Sequence, residues 1–374
     1  MFKFLVTKTD CTTNARAGVL MGDFGAIATP TFMPVATHAC IKTLIPKDLE
    51  ELDIRLVLSN ALHLTLRPGV DVIQHLGGLK SFMGYDGGIL TDSGGYQIVS
   101  LSPLCKIFDD GIVFRSHING DLHRLTPSDV VRIQEVLKSD IHMPLDHPLG
   151  YPASFDEAKD ALDRTNNWLD LSLKAKNTQI GALFAIVQGS VFPELRRRAC
   201  QFASDRQVEG FALGGLSLGE PKALMWDMVS ICMEELEPSR PRYLMGVGKP
   251  VDLIEGVKRG IDLFDCIIPT RIARNGQLFT SNGVIRLKHA VHKKSDAPLD
   301  TKCNCYTCKH FSLGYLAHLY NAQEPSVLRL NTIHNLSYYM NLMVTIRKTI
   351  RDGTFEYWRK SQIERVSDIN MERN

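Results

Sequence analysis

Eight short apolar segments alternate with helical patterns along most of this chain, and the alternation restricts the fold more than any other feature. The apolar segments have the length and composition of buried strands, and the stretches between them read as helices. Eight β/α pairs over roughly 240 residues are what a (β/α)8 TIM barrel, an α/β fold, requires. The predicted strands are residues 31–36, 54–59, 88–91, 141–145, 182–187, 210–213, 243–245 and 261–264.

Several local signals set the boundaries between these segments. Thr126 is a predicted N-cap because Pro127 and Asp129 follow it, and Ser154 with Glu157 forms a capping box. Alternating apolar residues and a turn signal predict a hairpin between residues 97 and 123. The N-terminal segment before residue 31 has turn-like character at Gly18, Gly22-Asp23 and Gly25.

Polar residues and glycines follow the predicted strands where each strand ends. In a barrel these positions share one catalytic face. The pattern alone also allows a doubly wound sheet as an alternative fold. The dinucleotide-binding form of that fold would require a Gly-x-Gly-x-x-Gly motif after the first strand, and this motif is missing. Each Asp could instead cap a helix, but three at equivalent positions favour a site. The residues are Asp92, Asp146, Gln188, Gly214, Gly215, Gly246 and Asp265.

The strand end at Asp92 allows two interpretations. An acid followed by two glycines and the flat ring of Tyr96 suits a polar planar ligand. The segment from Asp92 to Gly95 also matches the surroundings of the nucleophile in chymotrypsin-like serine proteases. A serine hydrolase using Ser93 would need a β-rich double barrel, an early His-bearing strand and an oxidising location. None of these is visible, so we expect the function to depend on Asp92.

Composition and cysteine use favour an ordinary globular protein of a reducing compartment. The 374 residues carry a net charge of +2, which does not by itself indicate nucleic-acid binding. Six of the nine cysteines are scattered, which is a poor disulfide framework. The sequence lacks a secretory h-region and any run of about 18 apolar residues. We therefore expect a cytoplasmic protein.

Three cysteines, Cys303, Cys305 and Cys308, lie within six positions. Thiolates at this spacing can converge on one tetrahedral ion, and Zn²⁺ suits soft ligands in a reducing cell. A closed structural site needs a fourth ligand. The spacing leaves His310, His318 and His334 as candidates and favours the last two. A catalytic deaminase-type zinc is disfavoured because the Pro-Cys-x-x-Cys motif with an upstream His-x-Glu is missing.

Basic residues concentrate around Asp265 and before the cysteines. They predict a positive stripe beside the barrel rim that would suit a phosphate backbone, with a solvated surface as the alternative. The residues are Lys249, Lys258, Arg259, Arg271, Arg274, Arg286, Lys288, His289, His292, Lys293 and Lys294.

The strand-end motifs and the cysteine cluster together resemble the queuine tRNA-ribosyltransferase family, also called tRNA-guanine transglycosylase. The resemblance spans roughly residues 10–360 and implies a TIM barrel with a C-terminal zinc subdomain, usually in a homodimer. It implies a barrel in residues 1–285, a zinc-binding subdomain in 286–345 and a C-terminal helix in 346–374. Its motifs are Asp92-Ser-Gly-Gly-Tyr-Gln97, Gln188-Gly-Ser190, Gly214-Gly215, Tyr243-Leu-Met-Gly-Val-Gly-Lys-Pro250, Phe264-Asp-Cys266, Pro269-Thr-Arg271 and Arg274-Asn-Gly276.

The resemblance also implies a reaction and its residues. The wobble guanine of tRNAs with GUN anticodons, those for aspartate, asparagine, histidine and tyrosine, would be exchanged for a 7-deazaguanine. Asp265 would be the nucleophile and Asp92 a proton acceptor, and His334 would complete one zinc site per chain. Tyr96 would stack on the base. Other implied contacts to the base come from Asp92, Ser93, Asp146, Gln188, Gly215, Leu216 and Met245, and contacts to tRNA from Lys249, Arg271 and Arg274.

Three departures from the family pattern bear on the incoming base. His147 and Pro148 follow Asp146, Ser217 and Leu218 follow the glycine pair, and Ala61 and Leu62 stand in the early Asn-Thr-Tyr-His motif. The first two would line the side of the pocket near the 7-substituent. They leave both 7-aminomethyl-7-deazaguanine and queuine as incoming bases. A non-catalytic tRNA-binding subunit of a two-component transglycosylase and a TIM-barrel glycosidase are the alternative functions.

Overall fold

The computed structural model describes residues 2–95, 105–116, 118–177 and 180–371. Eight parallel strands form a closed barrel in which the last strand pairs with the first, at Phe264 and Phe32. The (β/α)8 prediction is therefore confirmed, and the doubly wound alternative is wrong. The barrel strands are β4 (Thr31–Ala36), β5 (Leu56–Asn60), β6 (Gly88–Asp92), β10 (Ile141–His142), β11 (Ala182–Val187), β12 (Gly210–Leu213), β13 (Arg242–Leu244) and β14 (Leu263–Cys266).

Helices surround the barrel and continue beyond it. The predicted N-cap at Thr126 and the predicted capping box at Ser154 are both formed, because each hydroxyl accepts from the backbone N–H three residues later. The described helices are α1 (Pro46–Glu51), α2 (Ala61–Leu66), α3 (Val70–His75), α4 (Leu79–Met83), α5 (Pro127–Leu137), α6 (Phe155–Ala175), α7 (Pro193–Ser204), α8 (Lys222–Glu235), α9 (Pro250–Lys258), α10 (Ile268–Arg274), α11 (Tyr306–His310), α12 (Leu313–Asn321), α13 (Ser326–Arg351) and α14 (Phe355–Met371).

The N-terminal segment is not a series of turns, so that prediction is wrong. It forms a three-stranded antiparallel sheet that closes the lower end of the barrel. Leu20 and Ile27 of this sheet join the apolar cluster inside the barrel, and Arg16 forms a buried ion pair with Asp262, just before β14. Of the glycines that suggested turns, Gly18 lies inside the second strand, Gly22 ends it and Gly25 begins the third. The strands are β1 (Lys3–Thr9), β2 (Arg16–Gly22) and β3 (Gly25–Thr29).

Two smaller sheets extend the barrel at its upper side. The predicted hairpin is confirmed in its described part, where three antiparallel strands follow one another. A two-stranded sheet follows α10 and leads to the cysteine cluster. The strands are β7 (Cys105–Phe108), β8 (Gly111–Arg115), β9 (Leu122–Leu125), β15 (Gln277–Thr280) and β16 (Gly283–Arg286).

Helix α13 is the longest described helix, with 26 residues, and half of its residues are buried. It packs against α10 and also against α11, so one rigid element contacts both the segment after Asp265 and the cysteine cluster. The predicted boundary between residues 345 and 346 falls inside this helix. A single helix thus joins the second and third parts of the predicted division into 1–285, 286–345 and 346–374, and the division itself stays a prediction. None of the described helices combines the length and the apolar composition needed to cross a membrane.

Candidate functional site

Asp265 lies at the carboxyl end of β14 and is about nine-tenths buried. The Tyr243 hydroxyl and the Gly246 backbone N–H each donate to its Oδ1 at 2.6 Å. Among the described residues, no hydrogen bond reaches Oδ2. Burial raises the pKa of Asp265, and the two donors oppose that shift by stabilising the carboxylate. One oxygen is thus fixed by two donors, while the other makes no hydrogen bond within the described part of the chain.

Asp146 follows β10 and makes the second polar centre of the rim. Ser93 Oγ donates to its Oδ1 at 3.1 Å, and Gln188 Nε2 donates to its Oδ2 at 2.7 Å. Three strand ends therefore meet at this carboxylate. Burial raises the pKa of Asp146 to about 6, against the two hydrogen bonds, which lower it. A Cβ at Gly95 would collide with the same carboxylate, so the backbone passes very close to it.

Asp146→Asn is expected to alter stability with pH in a definite direction. The folded chain retains a proton between the ordinary pKa of 3.8 and about 6. The stabilisation that protonated Asp146 contributes is fully present below pH 3.8. It is lost as the pH rises through about 6, and the loss amounts to roughly 3 kcal/mol. Asn carries no charge and avoids this loss. Thermal unfolding between about pH 5 and 8 should show the variant gaining stability relative to the parent. A constant or falling difference would contradict the expectation.

Asp92 ends β6 and is held by the strand next to it. Asn60 Nδ2 donates to Oδ2 at 2.5 Å, and the Ala61 backbone N–H donates to Oδ1 at 3.0 Å. Asn60 also caps α2 through His63 N. The contact at position 61 comes from the backbone, so the departure to Ala61 does not remove it. Tyr96, predicted to stack on the base, lies outside the described residues.

The loop after β12 forms one wall of the same rim. Cβ atoms at Gly214 and Gly215 would collide with the Gln188 side chain, and Gly215 has φ +64°, a conformation that favours glycine. Leu216 is buried, and Met245, after β13, is half-buried. The predicted base-contacting residues that the structure describes therefore surround the strand ends of the barrel. Sequence reasoning assigned no role to Asn60 or Tyr243, although Asn60 directly follows an apolar run.

Two of the departures from the family pattern, at His147 and at Ser217 and Leu218, make defined polar contacts. The His147 ring faces α6, where Arg164 Nη1 lies 3.1 Å from its Nδ1, and burial with the Arg164 charge lowers the pKa of His147 to about 4. A neutral ring accepts through Nδ1, because the guanidinium can only donate. The backbone N–H groups of Ser217 and Leu218 both donate to the Glu220 carboxylate.

The basic residues divide between the two ends of the barrel. Lys249 and Arg271 are exposed after β13 and on α10, near the rim. Burial and the neighbouring Arg271 lower the pKa of Arg274. Lys258, in contrast, ends α9, and its carbonyl accepts from Asn14 beside the N-terminal sheet. The prediction of one stripe that includes Lys258 is therefore wrong, because α9 separates it from the rim.

The cysteine cluster forms a four-donor group. The Sγ atoms of Cys303, Cys305 and Cys308 and a ring nitrogen of His334 all lie within 4.8 Å of one another. His334 Nδ1 faces the thiols, at 3.3 Å from Cys308 Sγ, while Nε2 lies 2.6 Å from the Phe279 carbonyl. A proton on Nε2 would leave the Nδ1 lone pair available. Three thiols and one imidazole can hold a metal ion, and neither His310 nor His318 belongs to the group.

Comparisons with known proteins point to one family. A family model described as queuine tRNA-ribosyltransferase matches residues 10–368. The queuine tRNA-ribosyltransferase of Thermoanaerobacter sp. (strain X514) is 48% identical over 359 residues, 96% of either chain. That of Aquifex aeolicus (strain VF5) is 45% identical over 379 residues, covering 98% of this chain and 100% of the relative. That of Caldanaerobacter subterraneus subsp. tengcongensis is 49% identical over 350 residues, 93% of either chain.

Proposed function

Because the chain belongs to the queuine tRNA-ribosyltransferase family, we propose that it is a tRNA-guanine transglycosylase. It exchanges guanine at the wobble position of tRNAs with GUN anticodons for a 7-deazaguanine base. The observation that carries this proposal is the arrangement around Asp265, whose Oδ1 is held by two donors at the same barrel rim as the Asp146 carboxylate and the Gln188 amide. A pentosyl transfer needs such a nucleophile next to a base-binding site.

The reaction is a double displacement at C1′ of the ribose. Asp265 Oδ2 attacks C1′, the bond to the guanine ring nitrogen breaks, and the bonding electron pair leaves with guanine, which then takes up a proton. The incoming base loses its ring N–H proton, with Asp92 as the acceptor, and its nitrogen attacks C1′. The bond to Asp265 breaks, and the carboxylate is regenerated. Two inversions give net retention, as in retaining glycosidases.

Tyr243 and Gly246 hold the nucleophile for both displacements. Their hydrogen bonds fix Oδ1 and stabilise the carboxylate as a leaving group in the second step. Asp92 and Asp146 bind the N–H groups of the base, with Ser93 and Gln188 orienting Asp146. Gly215, Leu216 and Met245 complete the pocket, and Tyr96 stacks on the ring.

The activity is tested by incubating the purified chain with labelled guanine and unmodified tRNA. Incorporation by this chain alone supports the proposal, and it excludes a non-catalytic subunit of a two-component enzyme. Hydrolysis of sugar glycosides without incorporation would favour a barrel glycosidase. Competition of 7-aminomethyl-7-deazaguanine against queuine in the same assay identifies the preferred base.

Lys249, Arg271 and Arg274 bind the phosphates of the anticodon loop. Arg271→Gln is expected to raise the KM for tRNA and leave the KM for the base unchanged. The slope of log K against log salt should fall by about 1, because one phosphate contact is lost. Equilibrium binding of tRNA over a salt series measures this. Lys258→Gln is the matched control, because Lys258 ends α9 away from the rim. An equal effect of both substitutions would contradict the assignment of Arg271 to phosphate binding.

The remaining features follow from the same proposal. Zn²⁺ suits the three thiols and the imidazole, and it would hold the C-terminal segments together. A homodimer is supported by exposed apolar residues that include Tyr306 and Tyr315, beside Phe311. An enzyme that acts on tRNA is expected in the cytoplasm.

A further inference from the structure

Three consecutive arginines on α7 have different environments. Arg196 is completely buried, whereas Arg197 and Arg198 are exposed. Arg197 pairs with Glu235 of α8, and Arg198 pairs with Asp163 of α6. These surface pairs contribute little to stability. Burying the guanidinium of Arg196 is costly, and burial lowers its pKa. Such a residue is expected to have a specific role.

The Arg196 guanidinium binds backbone carbonyls from two loops of the rim. Its Nη1 donates to the Val187 and Gly214 carbonyls, both at 2.9 Å, and its Nε donates to Ser190 O at 2.8 Å. Nη2 lies 3.5 Å from Gly215 O. No described carboxylate lies within 4.0 Å of it, so its positive charge is shared only among peptide dipoles. The Arg196 guanidinium thereby joins two segments behind the pocket: the one that contains Gln188 and the one that precedes Leu216.

These contacts determine which way the rim peptides face. The Gly214 carbonyl and the Gly215 N–H belong to one trans peptide, so they point in opposite directions. The carbonyl faces Arg196, and the N–H therefore points away from α7. Among the described residues, neither the Gly215 nor the Leu216 N–H donates a hydrogen bond to the protein. A cation on the carbonyl also polarises the peptide and makes its N–H a stronger donor.

The loop conformation itself requires support. Ser190 has φ +48°, which is unfavourable for a residue with a side chain, and Gly189 has φ +124°. A Cβ at Gly189 would lie 2.9 Å from the Arg196 backbone nitrogen, so the loop packs directly on α7. Gln188, one residue earlier, is thus held by the same helix that carries the guanidinium.

We propose that Arg196 is a positioning residue for base recognition. It orients the Gly214-Gly215 peptide so that the N–H groups of Gly215 and Leu216 meet an acceptor on the base, and it holds the loop that carries Gln188. When the bond at C1′ breaks, the electron pair that leaves with guanine spreads to the acceptor oxygen. The buried charge stabilises this anion through the peptide. The inference rests on the proposed exchange reaction.

The test compares Arg196→Gln and Arg196→Lys with Arg197→Gln, the matched control on the same helix. Arg196→Gln is expected to lower kcat/KM for the base by about 10- to 100-fold while the KM for tRNA is unchanged. Arg196→Lys keeps the charge but not the planar fork, so we expect an intermediate loss. Arg197→Gln should stay within about twofold of the parent.

A purely structural role predicts a different result. Activity would then fall with the melting temperature, and the parameters for base and tRNA would change together, which overturns the proposal. Failure of both Arg196 variants to fold also overturns it, because the residue would then act in folding. If the parent chain itself does not incorporate guanine, the proposed function fails. An active parent with unchanged base kinetics in Arg196→Gln refutes this inference alone.

Discussion

We expect Asp265→Asn to lose the incorporation of labelled guanine into tRNA by about 10⁴-fold or more, since the substitution removes the carboxylate oxygen that is proposed to form the bond to C1′. The substitution keeps the shape of the side chain and leaves an oxygen for the Tyr243 and Gly246 donors. It removes the charge and the nucleophilic oxygen. Folding should be retained, because burial already raises the pKa of this carboxyl and a neutral group is tolerated there.

The measurement combines exchange kinetics with trapping of the covalent adduct. The parent chain should give a tRNA–protein adduct on a denaturing gel, and Asp265→Asn should give none. Tyr243→Phe is the comparison variant, because it removes one donor to Oδ1 and leaves the nucleophile. It should still form the adduct, at a lower rate. An adduct in Asp265→Asn, or exchange near the parental rate, would show that another residue forms the bond.

The comparison variant also has a pH signature. The Tyr243 hydroxyl lowers the pKa of Asp265 against the effect of burial. Without it the pKa is higher, and the carboxylate is lost at a higher pH. The acidic limb of the profile of kcat/KM should therefore move to higher pH in Tyr243→Phe. A shift in the opposite direction would mean that Asp265 does not control this limb.

The barrel could be predicted because its signal is local. Each barrel strand is a short apolar run, and each polar strand end lies next to it in the sequence. Asp92, Asp146, Gln188 and Asp265 were found in this way, since the closed sheet necessarily brings its carboxyl ends to one face. Pairing of the eighth strand with the first follows from closure and needed no further signal.

Other parts of the site depend on contacts between distant residues. Tyr243 reaches Asp265 across 22 positions, and Asn60 reaches Asp92 across 32. Arg196 is the first of three consecutive arginines, and nothing in the sequence says which of the three faces inward. The N-terminal sheet is hard to predict because its two outer strands are largely exposed, and the glycines at its strand ends resemble turn signals. Cysteine spacing alone likewise does not decide which histidine completes the four-donor group.

If the four-donor group holds the proposed Zn²⁺, removal of the ion is expected to unfold the C-terminal segments and, through α13, to disturb the segment after Asp265. Four polar residues share one buried face of this helix. His334 belongs to the four-donor group. Asn335 donates to the carbonyls of Pro269 and Gln277. Asn331 donates to the Ala273 carbonyl. Tyr339 donates to the Gly248 carbonyl at 2.5 Å. Helix α13 therefore supports both the four-donor group and the loops around Asp265.

Cys305→Ser should reduce the metal content from about one ion per chain to a small fraction, because a closed four-donor site loses a ligand. Structural Zn²⁺ in small domains contributes roughly 10–16 kcal/mol, as much as the whole stability of a typical domain, so local unfolding is expected. Elemental analysis, thermal unfolding and limited proteolysis within residues 299–351 measure these effects. Cys40→Ser, at an exposed thiol outside the group, is the matched control. A metal-free parent chain, or full protease resistance of Cys305→Ser, would contradict the structural role, since α13 would then hold the rim loops without the ion.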